Sequence, residues 1–404
     1  MTVVAAERIT SADEARAVAA RMAAEFAPGA AHRDRERELP FAEMDRLAAS
    51  GLLAITVPAV LGGADLPPSE LAEVVRVLAV ADPNIAQIPH SHFVYVNLLK
   101  LAGSDSQQHR YLGQVLSGAR IANAQSERGG ATVTDIATTV RPIDTGTRFR
   151  IDGVKYYCTG SLFADLLAVL TRLDDPDERS GLVSGQYIAY LPADTPGVEI
   201  VDDWDGIGQR TTSSGTVVFD SVVVDRDQLV HRSAAVDAPT AYGAFAQLLH
   251  AAIDAGIARG ALNAAAEFVR TKSRPWFEAE VARAVDDPLV IQRVGELAVS
   301  VSAAEAALLA AGAAVDTARN APDRVGAASI AVATAKVLAD RAATEVSSAL
   351  FEVSGTRSAA AGLNLHHFWR NARTHTLHDP VRWKYQHIGR SLVHGTPPPL
   401  HGVI

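Results

Sequence analysis

The sequence predicts a mainly α protein with a central β domain, in the order helices, strands, helical bundle. Three observations lead there. Apolar residues recur at helical spacing through residues 1–118. Short segments rich in Val, Ile, Tyr and Thr, separated by Gly, Asp and Pro, fill 119–236. Three long Ala-rich segments with helical periodicity then dominate 237–404.

In the N-terminal domain, helices are expected over 11–27, 41–50, 68–81, 84–101 and 106–117. Ser11 with Glu14 three positions on makes a capping-box pattern, and Gly62-Gly63 and Pro67-Pro68 break the run. The middle segments 119–126, 148–157, 166–171, 186–191, 197–201 and 215–224 have the spacing of a small antiparallel barrel or sandwich. The long segments are 241–271, 287–319 and 324–353. Their small residues let helices approach closely, so a four-helix bundle is expected. Shorter helices at 366–378 and 381–393 precede a Pro-rich tail that reads as an extended arm.

Composition narrows the function. The chain has 404 residues, 48% hydrophobic and 21% charged, which is ordinary for a globular protein. One cysteine, Cys158, excludes an internal disulfide framework and a Cys-rich zinc site, and fits a cytoplasmic setting. A net charge of −9 argues against a nucleic-acid partner. The first 26 residues carry charges throughout, unlike a signal peptide, and no stretch reads as a membrane span. No Gly-x-Gly-x-x-Gly follows a strand, so no NAD site is expected. Chemistry is left to histidine, carboxylates or a borrowed cofactor.

Three separated stretches carry more specific information. Asn123-Ala124-Gln125-Ser126-Glu127 leads into Gly129-Gly130 and Thr134-Asp135. Asp152-Gly153-Val154-Lys155-Tyr156-Tyr157-Cys158-Thr159-Gly160-Ser161 follows, and then Gly206-Ile207-Gly208-Gln209-Arg210 with Thr211 to Ser214. In this order they resemble the flavin-lining stretches of the acyl-CoA dehydrogenase superfamily, over almost the whole chain. The resemblance implies that fold, and flavin contacts from Asn123, Ser126, Tyr157, Thr159 and Ser161. Arg274 with Phe277 has the family's Arg-x-x-Phe spacing, where the arginine reaches a flavin phosphate; Arg270 competes for that role. Ser354-Gly355 stands at the family's turn against a neighbouring subunit's cofactor. A homotetramer is implied.

The departures from that family point to a branch of it. Where dehydrogenases place a glutamate base, this chain has Asp379, one methylene shorter and followed by Pro380, which reshapes the loop. Thr374-His375-Thr376-Leu377-His378-Asp379-Pro380 and Gln87-Ile88-Pro89-His90-Ser91-His92-Phe93 resemble the dibenzothiophene-monooxygenase and sulfur-acquisition branch. That resemblance implies a two-component monooxygenase. It would take reduced FMN from a separate NAD(P)H:flavin reductase, form a flavin hydroperoxide with molecular oxygen, and oxygenate a small sulfone, sulfoxide or thiophene. An FAD-dependent acyl-CoA dehydrogenase is the alternative. Catalysis is assigned to His378 first and His92 second, with Thr159 bonding the flavin N5. Tyr95, one turn from His92, is assigned with it to the substrate pocket. His90 is read as a surface or subunit contact, Cys158 as barrel filling on a strand where it alternates with Tyr157 and Thr159, and no metal is expected.

Overall fold

The computed structural model describes residues 6–132 and 134–401. Six helices come first: α1 (Ala12–Glu36), α2 (Phe41–Ala49), α3 (Pro68–Ala81), α4 (Pro83–Gln87), α5 (His90–Ala102) and α6 (Asp105–Leu116). The Ser11 cap forms, its hydroxyl accepting from the Glu14 amide, but Glu14 turns back to Thr10 instead of closing the box. Helix α1 also runs on through Pro28 to Glu36, nine residues beyond the expected end. The expected single helix over 84–101 is two. Asp82 caps α4 by accepting from the amides of Asn84 and Ile85, and Pro89 separates α4 from α5.

The middle domain holds β1 (Ile121–Ala124), β2 (Thr139–Pro142), β3 (Arg148–Lys155), β4 (Leu166–Leu173), β5 (Gln186–Pro192), β6 (Val198–Val201), β7 (Thr216–Asp225) and β8 (Leu229–His231). They form one eight-stranded sheet, in the order β6-β7-β3-β2-β4-β5-β8 with β1 also on β4. The sheet is mixed, not purely antiparallel. β1 and β2 both run parallel to β4 and share its edge, Ile121 opposite Leu166 and Thr139 opposite Arg172. Alternation could not show this, because strand direction leaves no mark on a period of two. Strands β2 and β8 fall outside the expected segments. The inner face packs its own core, including Phe149, Ile151, Val169, Val222 and Cys158.

After α7 (Arg232–Val236) come the long helices α8 (Tyr242–Thr271), α9 (Pro288–Ala318) and α10 (Val325–Ser354), then α11 (His367–His375) and α12 (Val381–His394). The long three pack on one another, α12 lies along α10, and α3 crosses both α8 and α9. Gly256 permits that crossing: a Cβ there would stand 2.5 Å from Ala79 Cβ and 2.6 Å from the Arg76 carbonyl. The tail returns over the start of α8, where the His401 carbonyl comes close to Gly243; the tail's last three residues lie outside the described ones. By length and composition α9 could cross a membrane, contrary to the sequence expectation, and a third of its most apolar window is buried in the chain. Its Glu305 is tied to Arg76 of α3 and Arg259 of α8, as suits a bundle helix.

Gly256→Ala should cost about 1–3 kcal/mol through overpacking, seen as a lower midpoint in thermal denaturation. Gly113→Ala, in α6 with nothing within 4 Å of its added methyl, should instead gain roughly 0.5–1 kcal/mol. Equal effects at the two sites would refute the account of the α3–α8 crossing.

Candidate active site

Two features of the sequence, the hydroxyl-rich loop and the histidines, meet on a shared support. The loop 206–214 is pressed onto α11. A Cβ on Gly208 would lie 2.0 Å from the Arg370 carbonyl, and the Gln209 amide donates to Asn371 Oδ1 at 2.7 Å. The Thr211 amide donates to Asn84 Oδ1 of α4 at 3.3 Å. One turn further along these same helices stand Gln87 on α4 and His375 on α11. Helices α4 and α11 therefore fix the loop and the histidines in one frame.

The loop holds a directed chain of hydroxyls. Thr212 Oγ1 donates to the Gln209 carbonyl at 2.8 Å and lies 2.7 Å from Ser214 Oγ, which lies 2.8 Å from Thr159 Oγ1. Each hydroxyl has one proton. The carbonyl takes that of Thr212, so Ser214 donates to Thr212 and Thr159 donates to Ser214. Thr159 is left with lone pairs only, so it can accept from a further donor but not give to one. Three non-glycine residues around this corner have left-handed backbone: Tyr157 (φ 58°), Gln209 (φ 51°) and Ser213 (φ 50°). Such strain is held only where the surroundings over-determine it, and it concentrates at functional sites.

The turn 156–161 departs from the expected strand. Strand β3 ends at Lys155, and Tyr156 makes only an isolated bridge to Ser126. Tyr157 is 47% exposed and sits near Arg128 and Trp204. Cys158 is fully buried in the sheet core, its thiol pushed up to about 12 chiefly by burial, which makes it inert filling. Asn123 Oδ1 is buried with no partner among the described residues. Ser161, expected at the flavin, is buried, with its hydroxyl directed at the Ser213 carbonyl at 3.4 Å.

The histidines form a cluster that runs inward from the open side. His378 keeps an exposed edge; its Nδ1–H donates to the His375 carbonyl at 2.8 Å, and its Nε2 faces Gln87 Nε2 at 3.1 Å. Desolvation on the inner side of this exposed ring, then the neighbouring His375, lower its pKa to about 4. His375 is fully buried. Its Nε2 lies 3.1 Å from Gln87 Oε1 and 3.1 Å from His250 Nδ1, and its Nδ1 lies 2.6 Å from Asp254 Oδ1. Asp254 Oδ2 is 3.1 Å from Lys336 Nζ, and Lys336 also pairs with Asp340. Asp379 is ion-paired with Lys384 at 2.7 Å. Burial would raise the Asp379 pKa, but Lys336 and Lys384 outweigh it and hold the group below the usual range.

Three sequence assignments change here. His92 cannot handle a substrate proton: Ile121 N–H donates to its Nδ1 at 3.1 Å and its Nε2–H donates to the Leu53 carbonyl at 2.9 Å, so both nitrogens are bound to backbone. Tyr95, assigned to the substrate pocket, lies in the interior. It is 2% exposed, packed edge-on to Tyr190, with its hydroxyl donating to Gln125 Oε1 at 3.0 Å. His90 is not a surface residue: it is buried and stacked on His250 at 3.9 Å. His250, Asp254, Lys336 and Asp340 gave no motif signal, although each is a polar side chain in an otherwise apolar helix face, and Gln87 opened one of the quoted stretches without being given a role. His250, His375 and His378 bring ring nitrogens within 4.8 Å of one another. A cation there would have to displace Gln87 and the ring-to-ring contacts.

The remaining predicted positions lie at the far end of the bundle. The Ser273 hydroxyl donates to the Ser354 carbonyl at 2.9 Å and Arg357 donates to the Lys272 carbonyl, which joins the Arg274 segment to the Ser354-Gly355 turn. Gly355, at φ 75°, needs no side chain. Arg274 is exposed, as is Phe277 at 75%, its ring against Trp276. No hydrogen bond or ion pair given for the described residues joins this end to the hydroxyl loop.

Helices, curled mixed sheet and bundle in this order define a flavin-type dehydrogenase fold, and the candidate site holds a carboxylate–histidine cluster and a hydroxyl acceptor on the same two helices. The chain belongs to the acyl-CoA dehydrogenase family: its N-terminal domain matches at residues 10–119, its middle domain at 122–222 and its C-terminal domain at 248–383. The dibenzothiophene monooxygenase of Rhodococcus qingshengii is 33% identical over 95% of this chain and 94% of that one. The probable FMNH2-dependent monooxygenase SfnC of Pseudomonas putida is 33% identical over 92% and 93%. FMN-bound TdsC from Paenibacillus sp. A11-2 superposes with a TM-score of 0.89 at 33% identity, over 96% of this chain and all of that one. Methanesulfinate monooxygenase MsuC from Pseudomonas fluorescens does so at 0.87 and 31%, over 98% and 100%.

Burial drops the pKa of His90 to about 3 and those of His92 and His367 to about 4. Between those values and the ordinary 6.5 the unfolded chain binds more protons than the folded one, so stability must fall as pH falls. Urea denaturation should show loss beginning below about pH 6.5, up to roughly 1 kcal/mol per pH unit for each ring. Constant stability down to pH 5 would rule this out.

Proposed function

We propose that this protein is a reduced-FMN-dependent monooxygenase acting on a small organosulfur compound, a sulfone, sulfoxide, sulfinate or thiophene. The observation that carries the reading is the pairing of a partly open, neutral His378 with a buried acid–histidine chain behind it, in a chain with full-length monooxygenase relatives. Reduced FMN, when bound, supplies the electrons that activate oxygen. The chain's residues fit it. The acceptor-only Thr159 suits the N5–H of a reduced flavin, and a flavin donor would satisfy the orphaned Asn123 Oδ1. Tyr157 and Ser126 would border the ring. Arg274, with a permanent charge and forked donors, would take the phosphate, with Phe277 and Ser354-Gly355 beside it or against the flavin of a second copy. The exposed aromatic pair and the apolar outer face of α9, with Leu289, Val299 and Leu309 open, favour a tetramer. A separate reductase would supply the flavin.

The work of His378 is to hold or return a proton at Nε2 while the buried walls keep water out. The dehydrogenase alternative requires a base. Asp379 is a poor one, because two buried ammonium groups hold its charged form and Lys384 covers an oxygen.

With reduced FMN, oxygen and dibenzothiophene or methanesulfinate, the protein should add one oxygen atom to the sulfur compound, read by mass spectrometry. His378→Ala should lower that product roughly 100-fold, while oxygen uptake continues and hydrogen peroxide rises. An unchanged ratio of product to oxygen consumed would remove His378 from the role. Bleaching of bound FAD by an acyl-CoA thioester, with no oxygenation, would establish the alternative.

A further inference from the structure

An amide keeps nearly the same shape when its oxygen and nitrogen are exchanged, but its hydrogen-bonding sense reverses at each end. Gln87 is buried between two rings, with Oε1 3.1 Å from His375 Nε2 and Nε2 3.1 Å from His378 Nε2. The oxygen only accepts, so His375 Nε2 must carry hydrogen. The nitrogen only donates, so His378 Nε2 must be bare. His378 Nδ1 already donates to the His375 carbonyl, which makes His378 neutral in this arrangement. The 2.6 Å contact from His375 Nδ1 to Asp254 Oδ1 then needs one more proton, on the ring or on the carboxyl.

Half a turn of the amide reverses both of its demands, and His250 Nδ1, 3.1 Å from His375 Nε2, changes from acceptor to donor by a tautomer shift within the neutral His250 ring. His375 Nε2 must be bare, so Nδ1–H donates to an ionised Asp254. His378 Nε2 must carry hydrogen as well as Nδ1, and the ring becomes a cation. One proton has left the Asp254–His375 side and one has arrived at His378; the number held is unchanged.

The interior can supply that proton. The groups facing the cluster are Asp254 and His250 from α8, Lys336 and Asp340 from α10, His90 from α5, His375 from α11, Asp379 after it and Lys384 from α12. Three carboxylates stand against two ammonium groups, leaving one buried negative charge that a single proton neutralises. Burial, then Asp254, push the Asp340 carboxyl up to about 8 against the pull of Lys336.

We propose that Gln87 is a positioning residue whose amide rotation decides whether one shared proton sits on the Asp254–His375 side or on His378. His378 is the only ring of the four with an exposed edge, so the amide sets when the open side of the site receives a proton. The purpose of the gate rests on the function proposed above; the coupling itself does not.

Neutron diffraction from flavin-free crystals at neutral pD tests the coupling without any reaction. The expected result is deuterium on one, and only one, of His375 Nε2 and His378 Nε2, with the Gln87 oxygen turned to the deuterated one. Both atoms deuterated, or both bare, beside an ordered amide would overturn the proposal. Gln87→Met conserves volume and removes the bridge. It should leave His378 Nε2 bare and lower the yield of product per oxygen consumed roughly 100-fold, with FMN affinity within about twofold of wild type. Gln87→Glu accepts from both rings, so both Nε2 atoms should carry deuterium, a result that simple packing would not produce. A wild-type yield from Gln87→Met across pH 6–9 would also overturn the gate. Absence of any oxygenated product from the wild type would end the functional reading, while the neutron result would still decide the coupling.

Discussion

Asp254 lies wholly buried midway along α8, and its two oxygens face in different directions: Oδ1 to His375 of α11, Oδ2 to Lys336 of α10. A carboxylate in such a place is tolerable only if it is paired and hydrogen-bonded. Meeting that demand fixes three helices relative to one another. It also explains the second acid, Asp340, and the second pair, Asp379 with Lys384. Once one charge is buried, its partner must be buried too, and the set approaches neutrality only when a proton joins it. A site built this way has a proton store as a consequence of its packing.

The same helices carry that interior to the flavin-type loop. Asn84 and Gln87 occupy one face of α4, Asn371 and His375 one face of α11. In each pair the first residue grips the backbone of the 206–214 loop and the second grips the proton cluster. Gly208 makes the close seating possible, because any side chain there would meet the Arg370 backbone. The direction of the hydroxyl chain follows from the same seating. Its end at the Gln209 carbonyl decides that Thr159 accepts, which suits a reduced flavin better than an oxidised one, whose N5 has no hydrogen to give.

What could be read in the sequence divides along physical lines. The helix–sheet–bundle order was legible because hydrophobic period is local, and the ends of α8, α9, α10 and α12 fall within a residue or so of the expected bounds. The parallel pairing of β1 and β2 on β4 was not, since register and direction are long-range. Among the site residues, His378 stood out through its motif and does lie at the mouth of the histidine cluster. His92 carried an equally good local signal, yet both its nitrogens hold β1 and the Leu53 turn in place. His250 and Asp254 had none, because a lone polar residue in an Ala-rich helix looks the same whether it is capping a neighbour or, like Asp254, facing a ring 121 residues away.

Dehydrogenation and oxygenation ask opposite things of the segment after α11. A proton-abstracting carboxylate must be free, basic and aimed at the substrate. Here the carboxylate is short, buried and bound to Lys384, and Pro380 starts α12 immediately after it. The group left facing outward is the His378 ring one residue before, whose Nδ1 is pinned by a carbonyl so that Nε2 alone can change its proton. Pinning the acid and freeing the histidine are one structural event. The lysine that neutralises Asp379 also anchors α12 to Gln247 of α8, so freeing a base at this position would leave that buried ammonium without its carboxylate. At this corner the acid is held paired and the histidine ring is left open.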